Sequence, residues 1–431
     1  MDFEVVRRMR LRFVGSNASE RASEAAGWKG NRWIPVVSGV VIMLISGVVW
    51  AIGVFVPPWQ AAFNVERGPA VLTFTIVTAT TSIAMIPVGR WLDRKGPKIV
   101  ASVGGLLIGV SYVLTGFALN MYMVYLTFGV LNGIGTAMCY VTPITTGMKW
   151  FPDKKGLVAG IAAFAFGFGT AFLAPFISFL IGTLGLKATF SILGLAFLII
   201  ILVSAQFMQF PPAGWVPQSW KPAESKAKLR EGVRYDFSPS EMLRTKQFFL
   251  LWILFAFTGT PGLTVGGNIV AFAKDAGIAE WIGALILGVF AIANGLGRIV
   301  GGGVSDKLGR TRTMVMIFAV QAVVMSLLVK ATSPAWLMLV VILVGLCFGP
   351  IFALFPATIS DYFGEKYVGV NYGLVFTGYG TASVMGPALA GFLFDLTKSY
   401  YYPFQLISIF CAIAAILSLV TKPPALPAEN A

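Results

Sequence analysis

The sequence predicts an all-α membrane protein with twelve transmembrane helices in two related six-helix halves. Three observations predict it: the composition, the recurrence of long apolar runs, and a motif repeated at a fixed offset. Of the 431 residues, 57% are hydrophobic and only 12% are charged. A soluble domain carries about 25% charged residues. So little polar side chain does not cover so much apolar surface in water, and the bilayer is the solvent that fits.

A run of about 20 apolar residues crosses a hydrocarbon core of roughly 30 Å. Such runs fall at 34–56, 69–89, 99–118, 122–147, 157–181, 188–209, 247–272, 278–301, 313–331, 334–359, 370–394 and 401–420. Lipid offers backbone amides no partners, so each run is expected to be a helix. The first is long enough to span, and no cleavable signal peptide is expected. Residues 1–33 then form a basic segment, 34–210 and 247–420 the two bundles, and 421–431 a tail.

Residues 211–246 form the long polar interior stretch, with Pro211, Pro212, Pro217 and Pro222, and read as a partly flexible linker. Ser238-Pro239-Ser240-Glu241 has the form of a helix start: a Ser cap, Pro in the first turn and Glu three residues on.

The net charge is +14, and its distribution is informative. Twenty-six of the 32 Lys and Arg fall on the side that holds the N-terminus. Five fall opposite: Arg67, Lys187, Lys274, Lys330 and Lys398. The positive-inside rule puts both termini in the cytoplasm, in a cell membrane and most simply a bacterial inner membrane. The basic excess is thus a topology signal with some attraction to anionic headgroups, not a nucleic-acid footprint. The chain has no histidine, and Cys139, Cys347 and Cys411 all lie inside apolar runs. Neither a disulfide framework, a metal site nor a cofactor is expected, and no nucleophile–base constellation suggests an enzyme. A monomer satisfies every feature.

The halves repeat. Gly89-Arg90-Trp-Leu-Asp93-Arg94-Lys-Gly96 follows the second run, and Gly302-Gly-Val-Ser-Asp306-Lys-Leu-Gly309-Arg310 follows the eighth, at an offset of 213. Phe151-Pro-Asp153-Lys154 and Phe363-Gly-Glu365-Lys366 match at 212, with fewer cations in the second copy. Gly156 and Gly160 match Gly369 and Gly373 at 213. Internal duplication of this kind is common among transporters. The glycines allow two helix ends to approach closely, and each Asp can pair with a cation or cap a helix amide.

One charge falls deep in a run. All 18 Asp and Glu lie in loops, tails or run ends, whereas Arg298 lies well inside the eighth run. A mid-bilayer arginine costs at least ~2.5 kcal/mol. Snorkelling to headgroups or pairing with backbone carbonyls is one offset. The other is a central cavity in which a guanidinium waits for a carboxylate or phosphate. Asn294, four residues earlier on the same face, is placed to bond the same anion or to bridge helices.

The octad after the second run resembles the signature of the major facilitator superfamily. That resemblance implies a latch between the halves formed by Gly89, Arg90, Asp93, Arg94 and Gly96, and again by Asp306, Gly309 and Arg310. Ala293-Asn-Gly-Leu-Gly-Arg298 with Ser305-Asp-Lys-Leu-Gly-Arg310 resembles the oxalate/formate antiporter family and related bacterial monocarboxylate transporters. So do Gly30-Asn-Arg-Trp33, Trp150-Phe-Pro-Asp-Lys-Lys-Gly156, and Ala353-Leu-Phe-Pro-Ala357 with Asp361-Tyr-Phe-Gly364, together covering essentially the whole chain.

In the oxalate exchangers of that family two cations face the cavity. The position of the second is taken here by Tyr379. One fixed cation suits one carboxylate, so a monocarboxylate is expected, lactate- or pyruvate-like, with oxalate-type exchange as the alternative. The resemblance also implies aromatic cavity walls, here Trp50, Tyr140, Phe166, Phe348, Phe352 and Phe376. Tyr140 and Tyr379 carry a phenol that needs a partner in lipid. Related porters couple to protons through an Asp near the arginine. Asn294 does not titrate, so Asp275, together with Arg298, is the expected coupling pair. Carboxylate exchange without a proton, efflux of lipophilic solutes and a non-transporting receptor are the other readings.

Overall fold

The computed structural model describes residues 31–212, 215, 235–330 and 333–425. The expectations for residues 1–30, for most of the 211–246 linker and for the end of the tail lie outside these residues. No strand occurs among the described residues.

Ten described helices are long and apolar enough to cross a membrane. One of them, Lys155–Ala205, is 51 residues long and breaks at Gly185, where φ is 77° and ψ 172°. It therefore supplies two spans. Val368–Thr397, with 30 residues, is the remaining one. In chain order the spans are α1 Trp33–Phe63, α2 Arg67–Lys95, α3 Pro97–Gly116, α4 Met121–Trp150, α5 155–184 and α6 186–205. The second half has α7 Lys246–Asp275, α8 Glu280–Leu308, α9 Arg310–Leu328, α10 Pro334–Phe363, α11 Val368–Thr397 and α12 Tyr401–Val420. The fold is thus two six-helix halves of an all-α membrane protein.

Several spans run past their apolar cores. Both octads lie at or beyond the ends of the apolar runs, yet Gly89 to Lys95 forms the last turns of α2 and Gly302 to Leu308 those of α8. Only Gly96 and Gly309, at φ 83° and 91°, make the turns. A helix satisfies its own amides wherever its residues sit, so polar and charged side chains at a membrane surface do not end it. The helix start read at Ser238 is present as Pro239–Leu243, with a full capping box between Ser238 and Glu241.

Contacts between the halves run mainly through two helix pairs, α2 with α11 and α5 with α8. The end of the bundle where α2, α4, α8 and α10 finish is called here the basic face. The two halves meet closely there. A Cβ on Gly156 would collide with the Gly302 carbonyl, and one on Gly89 with the Gly369 carbonyl. These are the repeat glycines, and only their missing side chains permit backbone-to-backbone contact.

The α5–α6 break gives a direct test. The backbone of Gly185 lies in a region that other residues avoid, at a cost of roughly 1–3 kcal/mol. Gly185→Ala is expected to lower the thermal midpoint in detergent. Gly182→Ala, inside α5 with nothing within 4 Å of a new Cβ, is expected to leave it unchanged or raise it.

Candidate substrate site and gate

Arg298 lies ten residues before the end of α8 at Leu308 and is only 6% exposed. Its Nε donates to Asn294 Oδ1 at 3.3 Å, across one helical turn. Its Nη1 donates to the Ala163 carbonyl on α5, in the opposite half. The guanidinium carbon stands 4.4 Å from the centre of the Phe352 ring, within cation–π range. Among the described residues no carboxylate pairs with it. The sequence alternative of a backbone-carbonyl partner is therefore realised, yet a guanidinium has five N–H donors and these contacts use only part of them.

Aromatic rings close around this cation. Tyr140 packs on Phe166 at 4.9 Å and on Phe376 at 5.5 Å between ring centres. Tyr379 packs on Phe352 at 5.1 Å and Phe376 at 5.3 Å, and Phe348 extends the set from Phe352 at 5.4 Å. Trp50 is not joined to this network; its ring packs on Phe74 at 5.1 Å. Two members escaped sequence reasoning. Phe255 stacks on Phe355 and touches Tyr379 at 5.6 Å, and Tyr372 lies on Phe376 at 5.6 Å. Tyr140, Tyr372 and Tyr379 all lie within electrostatic reach of Arg298. The phenols of Tyr140 and Tyr372 approach one another. Neither finds a hydrogen-bond partner at bonding distance among the described residues.

Asp275 is not brought to this cluster. It ends α7, exposed, near Tyr400 at the face opposite the basic one.

At the basic face two carboxylates cross between the halves. Asp93 on α2 accepts from the N–H groups of Gly369 and Val370 at 3.1 and 3.0 Å, at the start of α11. Asp306 on α8 accepts from Gly156 and Leu157 at 2.9 and 2.8 Å, at the start of α5. The first amides of a helix have no partner of their own, and the helix dipole favours an anion there. Each repeat thus caps a helix of the other half.

The α5–α8 clamp is the heavier one. Arg310 bonds Ser305, pairs with Asp306 at 2.7 Å and with Asp361 at 2.9 Å. Lys155, 2% exposed, pairs with Asp361 at 3.2 Å and Glu365 at 2.8 Å and bonds Ser360 at 2.9 Å. Lys155 starts α5, while its partners lie on α10 and the loop after it. The loop with fewer cations therefore contributes acids to a cross-half network. Arg90 and Arg94, expected in the latch, are exposed and pair with no described acid.

The family model for the major facilitator superfamily matches residues 39–325 and 263–431. The chain belongs to the major facilitator superfamily. Within it, the chain is 30% identical over 373 residues to the oxalate:formate antiporter of Oxalobacter formigenes, covering 86% of each. It is 26% identical over 419 residues to monocarboxylate transporter 12-B of Danio rerio, covering 91% of this chain and 86% of that one. The fold matches the transporter FucP in its outward conformation, with a TM-score of 0.70, 14% identity, and coverage of 91% and 99% of the two chains.

The Asp306 clamp is testable by accessibility. Ala353 is fully buried on α10 next to Gly302. Its cysteine variant, made with Cys139, Cys347 and Cys411 replaced, reports opening of the basic face. Charge-assisted bonds are worth about 1.5–3 kcal/mol, so Asp306→Ala is expected to speed modification roughly tenfold or more. An unchanged rate would contradict the clamp.

Proposed function

We propose that the protein is a secondary active transporter of small monocarboxylates and that Arg298 binds the carboxylate. The observation that carries this is a buried guanidinium at the junction of the halves, with no acid partner among the described residues and with free donor capacity. Two buried phenols, Tyr140 and Tyr372, stand beside it. A carboxylate seated between Arg298 and Tyr140 or Tyr372 neutralises the cation and satisfies the hydroxyls at once. Phe352, Phe376 and Phe166 exclude water and accept the short apolar part of a small acid. The names of the two relatives, one for oxalate and formate and one for monocarboxylates, support an anionic cargo of this size.

The single fixed cation sets the selectivity. Tyr379 supplies a hydroxyl where a dianion carrier needs a second charge. A dianion against one arginine leaves one charge uncompensated at low dielectric, where an unpaired charge is expensive.

The positive-inside rule makes the basic face cytoplasmic, with both termini on that side of a cell membrane. In this conformation the Asp93 and Asp306 clamps hold the cytoplasmic side shut, and the Arg298 site is buried. Transport is alternating access, with the halves rocking about Arg298. Release of the clamps exposes the helix amides and the Lys155 network to cytoplasmic water, which replaces the lost bonds. Proton-coupled symport is the first coupling mode, with Asp275 as the proton carrier on the outer side. Carboxylate exchange is the second, and one observation favours it. The group beside Arg298 is Asn294, which does not titrate, so an empty carrier keeps its charge and reorients poorly.

Flux into proteoliposomes separates these readings. Arg298→Ala is expected to abolish lactate or pyruvate uptake. Arg298→Lys, which keeps the charge but loses the planar fork, is expected to lose at least tenfold. Tyr379→Lys is expected to shift preference towards oxalate. Normal uptake by Arg298→Ala would overturn the assignment.

Coupling has its own readout. Accumulation driven by a pH gradient and lost in Asp275→Asn indicates symport. Uptake that requires a preloaded carboxylate, and survives in Asp275→Asn, indicates exchange.

A further inference from the structure

A groove of about 520 Å³ opens between α2 and α4, away from the Arg298 cluster. Ile83, Pro87 and Trp91 line it from α2, and Ile134 and Met138 from α4. It faces outward: Ile83 is 67% exposed, and the next turns of α4 expose Leu126 and Val130. Thr80, Ala84 and Val88 form its floor. The lining is almost wholly apolar, and it lies on helices that cross the membrane, so its natural contact is an acyl chain.

The upper end of the groove differs from its floor. The α2 face that carries Ile83, Pro87 and Trp91 continues, at helical spacing, into Arg94 and Lys95. Both are exposed, as are Arg90 on the turn below and Lys98 in the first turn of α3. None of the four pairs with an acid among the described residues. The one nearby acid on α2, Asp93, is turned the other way and accepts from Gly369 and Val370. Trp91, half-buried, sits between the apolar floor and the cations, the level at which tryptophans favour a membrane interface. From Thr80 to Trp91 the helix rises ~16 Å, about the depth of one leaflet of a core roughly 30 Å thick.

We propose that this groove binds an anionic phospholipid, with one acyl chain between α2 and α4 and the phosphate on Arg94 and Lys95. The chain length matches the leaflet depth, and the cation cluster complements the headgroup charge. The shape and the charge thus select the same molecule from opposite ends.

The test uses the purified full-length protein and two photoactivatable lipids with identical chains, phosphatidylglycerol and phosphatidylcholine. Phosphatidylglycerol is expected to label peptides containing 83–91 and 134–138, to be competed by its unlabelled form, and to weaken as salt is raised. Each cation near the surface contributes about fivefold in affinity. Arg94→Gln combined with Lys95→Gln is therefore expected to weaken labelling at least tenfold, and Ile134→Trp to displace the chain by filling the groove. Equal labelling by the two lipids overturns the proposal, as does labelling elsewhere on the wild-type protein. So does full competition by glycerol phosphate alone, which would indicate a free-phosphate site. A dimeric mass in native mass spectrometry without lipid adducts, the groove being shielded from label, would assign this face to a second copy instead. The wild-type map and its salt dependence decide the matter even where a variant does not fold.

Discussion

The structure is organised around a guanidinium held in the membrane interior with no carboxylate partner among the described residues. Desolvation makes such a charge costly, and Arg298 offsets the cost with borrowed partners: the Asn294 amide, the Ala163 carbonyl and the face of Phe352. All three are neutral. The Ala163 bond also matters mechanically, because it ties α8 of one half to α5 of the other. In the proposed function the cation is thus both the place where an anion gains most and a link across the surface that moves. In the proposed cycle, loading the site changes the balance at that link.

The second constraint is at the basic face, where the halves are held by helix amides and charge. Asp93 and Asp306 occupy equivalent places in the duplicated sequence, and each caps a helix of the other half. Backbone contact at Gly156–Gly302 and Gly89–Gly369 is what brings those carboxylates into reach. The bonds are partly buried, and in the proposed cycle water replaces them once the face opens. Duplication gave two clamps, but only the α5–α8 one acquired the Lys155, Arg310, Asp361 and Glu365 network. The two sides of the gate therefore differ in strength although their geometry is related.

Much of this was legible in the sequence for identifiable reasons. Hydropathy reports spans because lipid forces each one to be a helix, and the 213-residue offset reports the duplication. Arg298 stood out as a charge among apolar neighbours, and the i,i+4 spacing placed Asn294 on its face. Other features were hidden. A helix that continues beyond its apolar core shows no hydropathy signal, so the apolar runs stop at the octads. The Ala163 carbonyl carries no side-chain signature at all. Lys155 and Asp361 are 206 residues apart, and each reads singly as a topology charge at a span end. Tyr372 lies in the same stretch as Tyr379, and a seven-residue spacing on a helix was the available signal that both face inward.

In the proposed function Arg298 holds the carboxylate at the junction of the halves. A structure of the protein with a bound monocarboxylate such as lactate tests it most directly. Carboxylate density is expected within hydrogen-bond distance of the Arg298 guanidinium, beside the phenols of Tyr140 or Tyr372, with the Ala163 contact lengthened or exchanged. A carboxylate bound elsewhere in the bundle, with Arg298 still on Ala163 and Asn294, would contradict it.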